Sequence, residues 1–266
     1  MTSDSFQPSR SLEEIYALID NNRAEAARVV QAKFHNDMEA AIATIASIGS
    51  IAGARVLADS RVASANVLIN AELAATRLLA EAEMQASKCV NEVLTKPKEV
   101  VESALLEIGR HTTERLIASA RESVEKIQQD AEAAIKVLRE TGAIAISEIQ
   151  SLAIGVSEQT VRDAELAAEK LKEYRKSKRT LDEAVSEGDD LAHIVAKVAE
   201  EVSLRLQNEI KATLARINIV TNEACEAVRE TAIAAEKKIQ ESHDRAVARL
   251  RDVLRTFLQS NGGAVL

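Results

Sequence analysis

Tryptophan is absent from this chain, and its 266 residues include only two Tyr and three Phe. Proline and glycine are scarce as well, at two and eight. Tight turns rely on Gly, Pro, Asn and Asp, because each supplies a geometry that other residues resist. Pockets and catalytic groups are usually built beside loops. A chain this poor in turn residues has little material for them, which argues against an enzyme. The two cysteines, Cys89 and Cys225, stand far apart and outline neither a disulfide framework nor a zinc pattern. Both fall in apolar columns described below and read as small buried hydrophobes. Reduced cysteines fit a cytoplasmic location. The first thirty residues contain Asp4, Glu13, Glu14, Asp20 and Glu25, and no apolar signal-peptide core is expected there.

An excess of positive charge is missing too. The formal net charge is −8 and the isoelectric point about 5.3. Nucleic-acid phosphates attract clustered Lys and Arg, so a nucleic-acid partner is not expected. The one basic cluster, Tyr174–Arg179, reads as a solvated helix end. The four histidines, His35, His111, His193 and His243, stand alone without metal-ligand spacing and read as surface residues. The phosphate-cradling, dinucleotide and nucleophile-elbow glycine motifs do not occur. No cofactor, metal or small-molecule substrate is expected.

Present in quantity are Ala, Glu, Leu, Ile, Val, Arg and Lys, most of them strong helix formers. Hydrophobic residues make up 46% of the chain, too many for a solvated disordered polymer. The expected fold is all-α. Residues 1–10 read as a flexible arm and 11–96 as a long first helix, with Ser11 and Glu14 forming a capping box. Pro97 ends or kinks that helix. A second helix is expected over 97–185, a loop at 186–190 (SEGDD), a third helix over 191–259 and a flexible tail over 260–266. At 1.5 Å per residue each helix spans on the order of 100 Å.

The clearest pattern is a repeat of eleven. Phe34, Ile45, Val56, Val67, Leu78, Cys89 and Val100 are each eleven apart, and a second column holds Ile51, Val62, Leu73 and Met84. In the second segment Leu94, Leu105, Leu116, Ile127, Leu138, Ile149 and Leu171 keep the spacing, with Thr160 as the exception. In the third, Val195, Leu206, Ile217, Val228, Ile239 and Leu250 run unbroken, and Leu214, Cys225, Val247 and Leu258 form a column interrupted by Glu236. Eleven residues fill three turns at about 3.67 per turn, so such a stripe stays nearly parallel to the helix axis. From Leu171 to Val195 the spacing is 24, not 22, which places an interruption between them. These hendecads predict an elongated coiled coil or an antiparallel three-helix bundle.

The helix-association face is accordingly assigned to Val56, Val67, Leu78, Val100, Leu105, Leu116, Ile127, Leu138, Ile149, Val195, Leu206, Ile217, Val228, Ile239 and Leu250. Ala40–Ala54 is uncharged, with Ile42, Ile45, Ile48 and Ile51 among small residues. It is shorter than the roughly 20 residues of a membrane span and reads either as tightly packed bundle or as a lipid-contact stretch. Gly49 and Gly53 have the spacing of a close helix contact. The function expected is a non-enzymatic structural or scaffold protein that self-associates through these helices into a rod, bundle or filament. The alternative is an amphipathic coat on a lipid membrane, droplet or polymer granule. The partners expected are therefore further copies of the chain, another helical protein, or a lipid or granule surface. The corresponding location is cytoplasmic, at most peripheral to a membrane or inclusion.

Overall fold

The computed structural model describes residues 23–96, 98–177 and 183–260. The fold is all-α. Helix α1 is Arg23–Leu94, α2 is Lys98–Ser177 and α3 is Glu183–Ser260. The expected capping box at Ser11, the arm over 1–10, the basic side chains of 174–179 and the tail beyond Ser260 lie outside the described residues and side chains. α1 stops at Leu94, and the Lys96 amide donates to the Val93 carbonyl at 3.0 Å. α2 starts four residues after Leu94 and runs back along α1, so the chain reverses around position 97 instead of kinking. The loop expected at 186–190 is not where the second break falls. Those residues belong to α3, which already begins at Glu183. A single glycine costs a helix interior only about 1 kcal/mol, and Gly188 is carried at that cost.

The chain divides by contacts into two compact units: Met1–Arg55 with Thr141–Val220, and Val56–Glu140 with Thr221–Leu266. Each holds a part of all three helices. In the second unit Asn70 bonds Asp130 while Glu81 pairs with Arg115, so rising numbers on α1 meet falling numbers on α2. Gln128 bonds Glu236 and the Ile135 carbonyl lies 4.0 Å from the Cys225 Sγ, which makes α2 and α3 antiparallel as well. Glu72 meets Lys238, and eleven residues on Glu83 meets Arg249. α1 and α3 are thus parallel, with a sequence separation of 166. In the first unit Glu39 and Arg205 pair across the same separation, and Lys33 meets Asp163 on α2. Both units are up-down-up three-helix bundles.

The eleven-residue columns form the interior of these bundles. Of the fifteen residues assigned to helix association, all but Val100 are at most 2% exposed. The buried ones lie among the three helices of the chain. Val100 is exposed because its column belongs to α1 and the register restarts after the reversal, where Leu105 opens the α2 column. Along α1 each large buried residue (Phe34, Ile45, Val56, Val67, Leu78) is accompanied by small ones such as Ala41, Ala52, Ala71 and Ala82. Small side chains let α1 approach its neighbours closely. In the first unit one cluster joins Val30, Phe34 and Met38 to Ala164, Ala167, Val195, Ala199 and Val202, and another joins Ala41, Ile45 and Ala52 to Ala145, Ile149, Leu206 and Ile217.

Several polar groups in this interior are satisfied, although the buried Thr221 Oγ1 has no hydrogen-bond partner. Thr160, the exception in the α2 column, is buried and donates to the Val156 carbonyl at 2.9 Å. Glu236, which interrupts the Cys225 column, is not in the interior and accepts from Gln128 at 2.9 Å on the exposed surface. Ser60 donates to the Ala224 carbonyl at 3.0 Å. Cys89 and Cys225 are buried free thiols, and burial pushes the Cys89 thiol up, partly offset by a hydrogen bond with Thr112. Of the exposed pairs, Glu241–Arg245 closes at 3.6 Å, whereas Arg205 turns to Glu39 on the neighbouring helix at 2.9 Å. The most buried ionic group is in the first unit. Asp163, with its side chain 4% exposed, takes Lys33 at 3.2 Å and Gln159 at 2.7 Å. Burial opposes the Lys33 ammonium, yet the hydrogen bonds and charges of Asp37 and Asp163 together outweigh it and raise its pKa above the ordinary lysine value.

This packing makes the glycines unequal. A Cβ on Gly49 would lie 2.5 Å from Thr213 Cγ2, whereas one on Gly155 would meet nothing within 4 Å. Gly155→Ala should therefore stabilise by about 0.5–1 kcal/mol through helix propensity. Gly49→Ala should destabilise by about 1–3 kcal/mol through overpacking, and Thr213→Ser, which removes the obstructing methyl, should recover most of that loss. Chemical denaturation of the four chains measures this. The buried ion pair gives a second expectation. Lys33→Met leaves Asp163 buried without its cation and should cost about 3 kcal/mol at pH 7. A raised lysine pKa means that the contribution of Lys33 is complete below the unfolded value, about 10.4, and fades as pH rises through the folded value. The stability gap between wild type and Lys33→Met should thus stay constant from pH 7 to 9 and narrow above about 10.4.

Candidate interaction surface

With the main columns inside, the second column of α1 faces outward. Ile51 in the first unit is 66% exposed, and in the second unit Val62, Ile69, Leu73 and Met84 are between 60% and 49% exposed. Eleven-residue spacing explains why Val62, Leu73 and Met84 share one line on the helix. Exposed Ala58, Ala65, Thr76, Ala80 and Ser87 fill the same face. No charged residue interrupts it. A solvated helix usually carries its charges on the side away from the core, and contiguous exposed apolar surface marks an interaction site.

Charge gathers at the two edges of this face. On the side next to α3 stand Glu72 and Glu83, paired with Lys238 and Arg249. The hydrogen bond with Lys238 holds the Glu72 carboxyl below the usual carboxylate range. On the side next to α2, where Glu81 reaches Arg115 at 3.5 Å, stand Arg77 and Lys88, both exposed. Among the described residues neither has an ion-pair partner. A groove of about 580 Å³ runs along this edge between α1 and α2, lined by Val62, Ile69, Ala133, Ala134 and Val137, with Asn70 and Asp130 at its floor.

The stretch assigned to lipid contact divides by exposure. Ile45 is fully buried, Ile42 and Ile48 are half-buried against the same first-unit cluster, and Ile51 alone is exposed. Of the small residues of Ala40–Ala54, Ala41 and Ala52 are buried in the first-unit cluster, a Cβ on Gly49 would collide with Thr213 on α3, and one on Gly53 would lie at an ordinary 3.9 Å from Val220. α1 is nonetheless long and apolar enough to cross a membrane by length and composition. One window of 18 residues reaches a mean hydropathy of 1.6 with only 22% of it buried. The outward column Ile51, Val62, Leu73 and Met84 is visible as a column in the sequence. Its outward direction is not, because its residues have the same chemistry as the core.

Little else on the surface is organised for chemistry. His35, His111 and His193 are exposed, and the first two lie 3.8 and 3.4 Å from Glu39 and Glu114. His243 differs from the surface expectation: Nδ1 meets Asp244 at 3.1 Å and Nε2 is buried without a hydrogen-bond partner. Among the described residues no group of three His, Cys, Asp or Glu could hold a metal ion. A second groove, about 590 Å³, lies between α2 and α3 over Leu105, Gly109, Leu254 and Leu258, edged by Arg110, Arg251 and Arg255.

No protein-family model matches this chain, and no curated protein does. Among solved structures it is similar to a computationally designed three-helix bundle, at 14% sequence identity. That match covers 93% of this chain and 98% of the designed one, with a TM-score of 0.50. At this identity the likeness concerns the fold, and it agrees with three long helices packed together.

Proposed function

We propose that the protein is a non-enzymatic structural element that self-associates, and that the outward face of α1 is the surface it uses. The observation that carries this reading is the uncharged line of Val62, Leu73 and Met84, exposed on a helix whose column through Ile45, Val56, Val67 and Leu78 is already spent on the intrachain core. The eleven-residue period that packs α1 against α2 and α3 is repeated on its opposite side, and a nearly straight apolar stripe fits another helix of the same period. From Ala58 to Ser87 such a face is about 40 Å long and about 10 Å wide. Two of them would bury on the order of 900 Å², less than a standard interface of roughly 1,600 Å². Association is therefore micromolar and concentration-dependent, as suits a subunit that assembles through many weak contacts. The two buried free thiols suit a reducing, cytoplasmic setting.

A second reading has one observation in its favour. The apolar window of α1 is only 22% buried, so the same face could lie on a lipid membrane, droplet or polymer-granule surface. Aromatic anchors are few, and the acidic edge at Glu72 and Glu83 opposes binding to anionic lipid.

Light scattering on size-exclusion fractions between about 1 and 200 μM tests the first reading, the range following from the interface size above. The wild-type mass should rise from 28.8 kDa toward twice that value. Val62→Glu/Leu73→Glu should remain at the monomer mass with unchanged helicity and a stability within about 0.5 kcal/mol of wild type, since both positions are exposed. A wild-type chain that stays monomeric throughout would overturn self-association. If that monomer floats with phosphatidylcholine vesicles and Ile51→Glu does not, the lipid reading takes its place.

A further inference from the structure

We infer that the second copy lies parallel and in register, with α1 packed against its own counterpart across a two-fold axis that runs along the helices. This rests on the self-association proposed above and adds the partner's orientation. The argument comes from the two charged edges. In a nearly straight parallel pair in register, the residue of the partner's opposite edge nearest to each residue of the column Arg61, Glu72 and Glu83 is the one five positions later, about 7.5 Å along the axis and within reach of long side chains. Five after Glu72 is Arg77, and five after Glu83 is Lys88. By symmetry each pair forms twice. The same edges in an antiparallel pair meet their own kind, so Arg77 and Lys88 would face cations and Glu72 and Glu83 would face anions. Arg61 departs from the acidic edge, but five after it stands Asn66, which is neutral and opposes nothing.

Two further features agree. Arg77 and Lys88 are exposed and, among the described residues, without an ion-pair partner, so they are available to a second chain. The seam also repeats the composition of the inner face of α1. Large Val62 and Leu73 alternate with Ala58, Ala65 and Ala80, the arrangement that lets α1 approach its neighbours inside the bundle. Exposed ion pairs add little affinity by themselves. Their effect here is selection of direction, as edge charges select partner orientation in coiled coils.

The test uses the full chain with single cysteines at the centre of the seam, Ala58→Cys and Ala80→Cys. The native Cys89 and Cys225 are buried, and Glu132→Cys on the exposed side of α2 serves as the control. Under mild oxidation at a concentration where the wild type is dimeric, both seam variants should form a covalent dimer at least tenfold faster than the control. Arg77→Glu/Lys88→Glu should weaken the dimer at least tenfold, and mixing it with Glu72→Lys/Glu83→Lys should restore association. An antiparallel pair would let at most one of the two positions link to itself, or, in the register that brings them opposite, would link the two variants only to each other when mixed. That result overturns the inference and leaves self-association standing. A dimer by mass in which neither position links places the contact on another face, with the same consequence. A monomer at every concentration overturns both readings, and protection of the introduced thiol of Ala80→Cys from maleimide by phosphatidylcholine vesicles would then give the face to lipid.

Discussion

An apolar side chain that recurs every eleven residues returns to the same side of an α-helix after three turns, and every other feature of this chain depends on that return. It allows helices of 72, 80 and 78 residues to stay in contact without leaving their neighbours. A lone helix of such length gains too little from propensity alone and takes its stability from packing of its apolar face. The reversal between Leu94 and Lys98 and the second break before Glu183 supply that packing within one chain. The parallel pairing of α1 with α3 follows, because three helices joined end to end by short connections alternate in direction.

Packing of plain Ala, Leu, Ile and Val columns is permissive about register, since a shift of eleven residues superimposes one column on itself. Polar interior groups remove that freedom. Asp163 needs Lys33, Asn70 needs Asp130, and the hydroxyl of Ser60 needs the carbonyl of Ala224. Moving α1 by one repeat along α2 would leave Asp163 buried without its cation, at a cost of several kcal/mol. Gly49 acts in the same direction through shape, because Thr213 of α3 occupies the space that a Cβ at position 49 would take. The ion pairs Glu39–Arg205, Glu72–Lys238 and Glu83–Arg249 repeat one offset, so they agree with the register even though each is individually weak.

Much of the fold is legible in the residues alone. The columns through Val56, Leu116 and Ile217 are core, and the chain reversal falls beside Pro97 as its chemistry suggests. The places where reading fails have physical causes. Val100 keeps the α1 spacing yet is exposed, because spacing continues across a reversal on paper while helical phase does not. Ser186–Asp190 resembles a loop by composition, but one glycine among helix-compatible neighbours costs only about 1 kcal/mol and does not break α3. Ile42, Ile45 and Ile48 pack on the first-unit core, and their composition alone does not separate that from lipid contact, because insertion into a bundle and insertion into a bilayer favour the same residues.

What the sequence determined by itself is the set of stripes: which residues of each helix share a side, how straight that side runs, and that the chain is helical almost throughout. Those follow from local geometry, 3.6 residues per turn against a period of eleven, and need no partner to define them. What only the tertiary structure decided is the direction each stripe faces. α1 carries two apolar sets, one through Ile45, Val56 and Leu78 and one through Ile51, Val62 and Leu73, and hydropathy ranks them alike. The first set is inward because it is accompanied by Ala and Ser small enough for α2 and α3 to close over it, and because Lys33, Ser60 and Asn70 find their partners only in that rotation. The second is left on the outside by the same rotation, since a helix held in one phase by its neighbours on two sides cannot bury its remaining side against them.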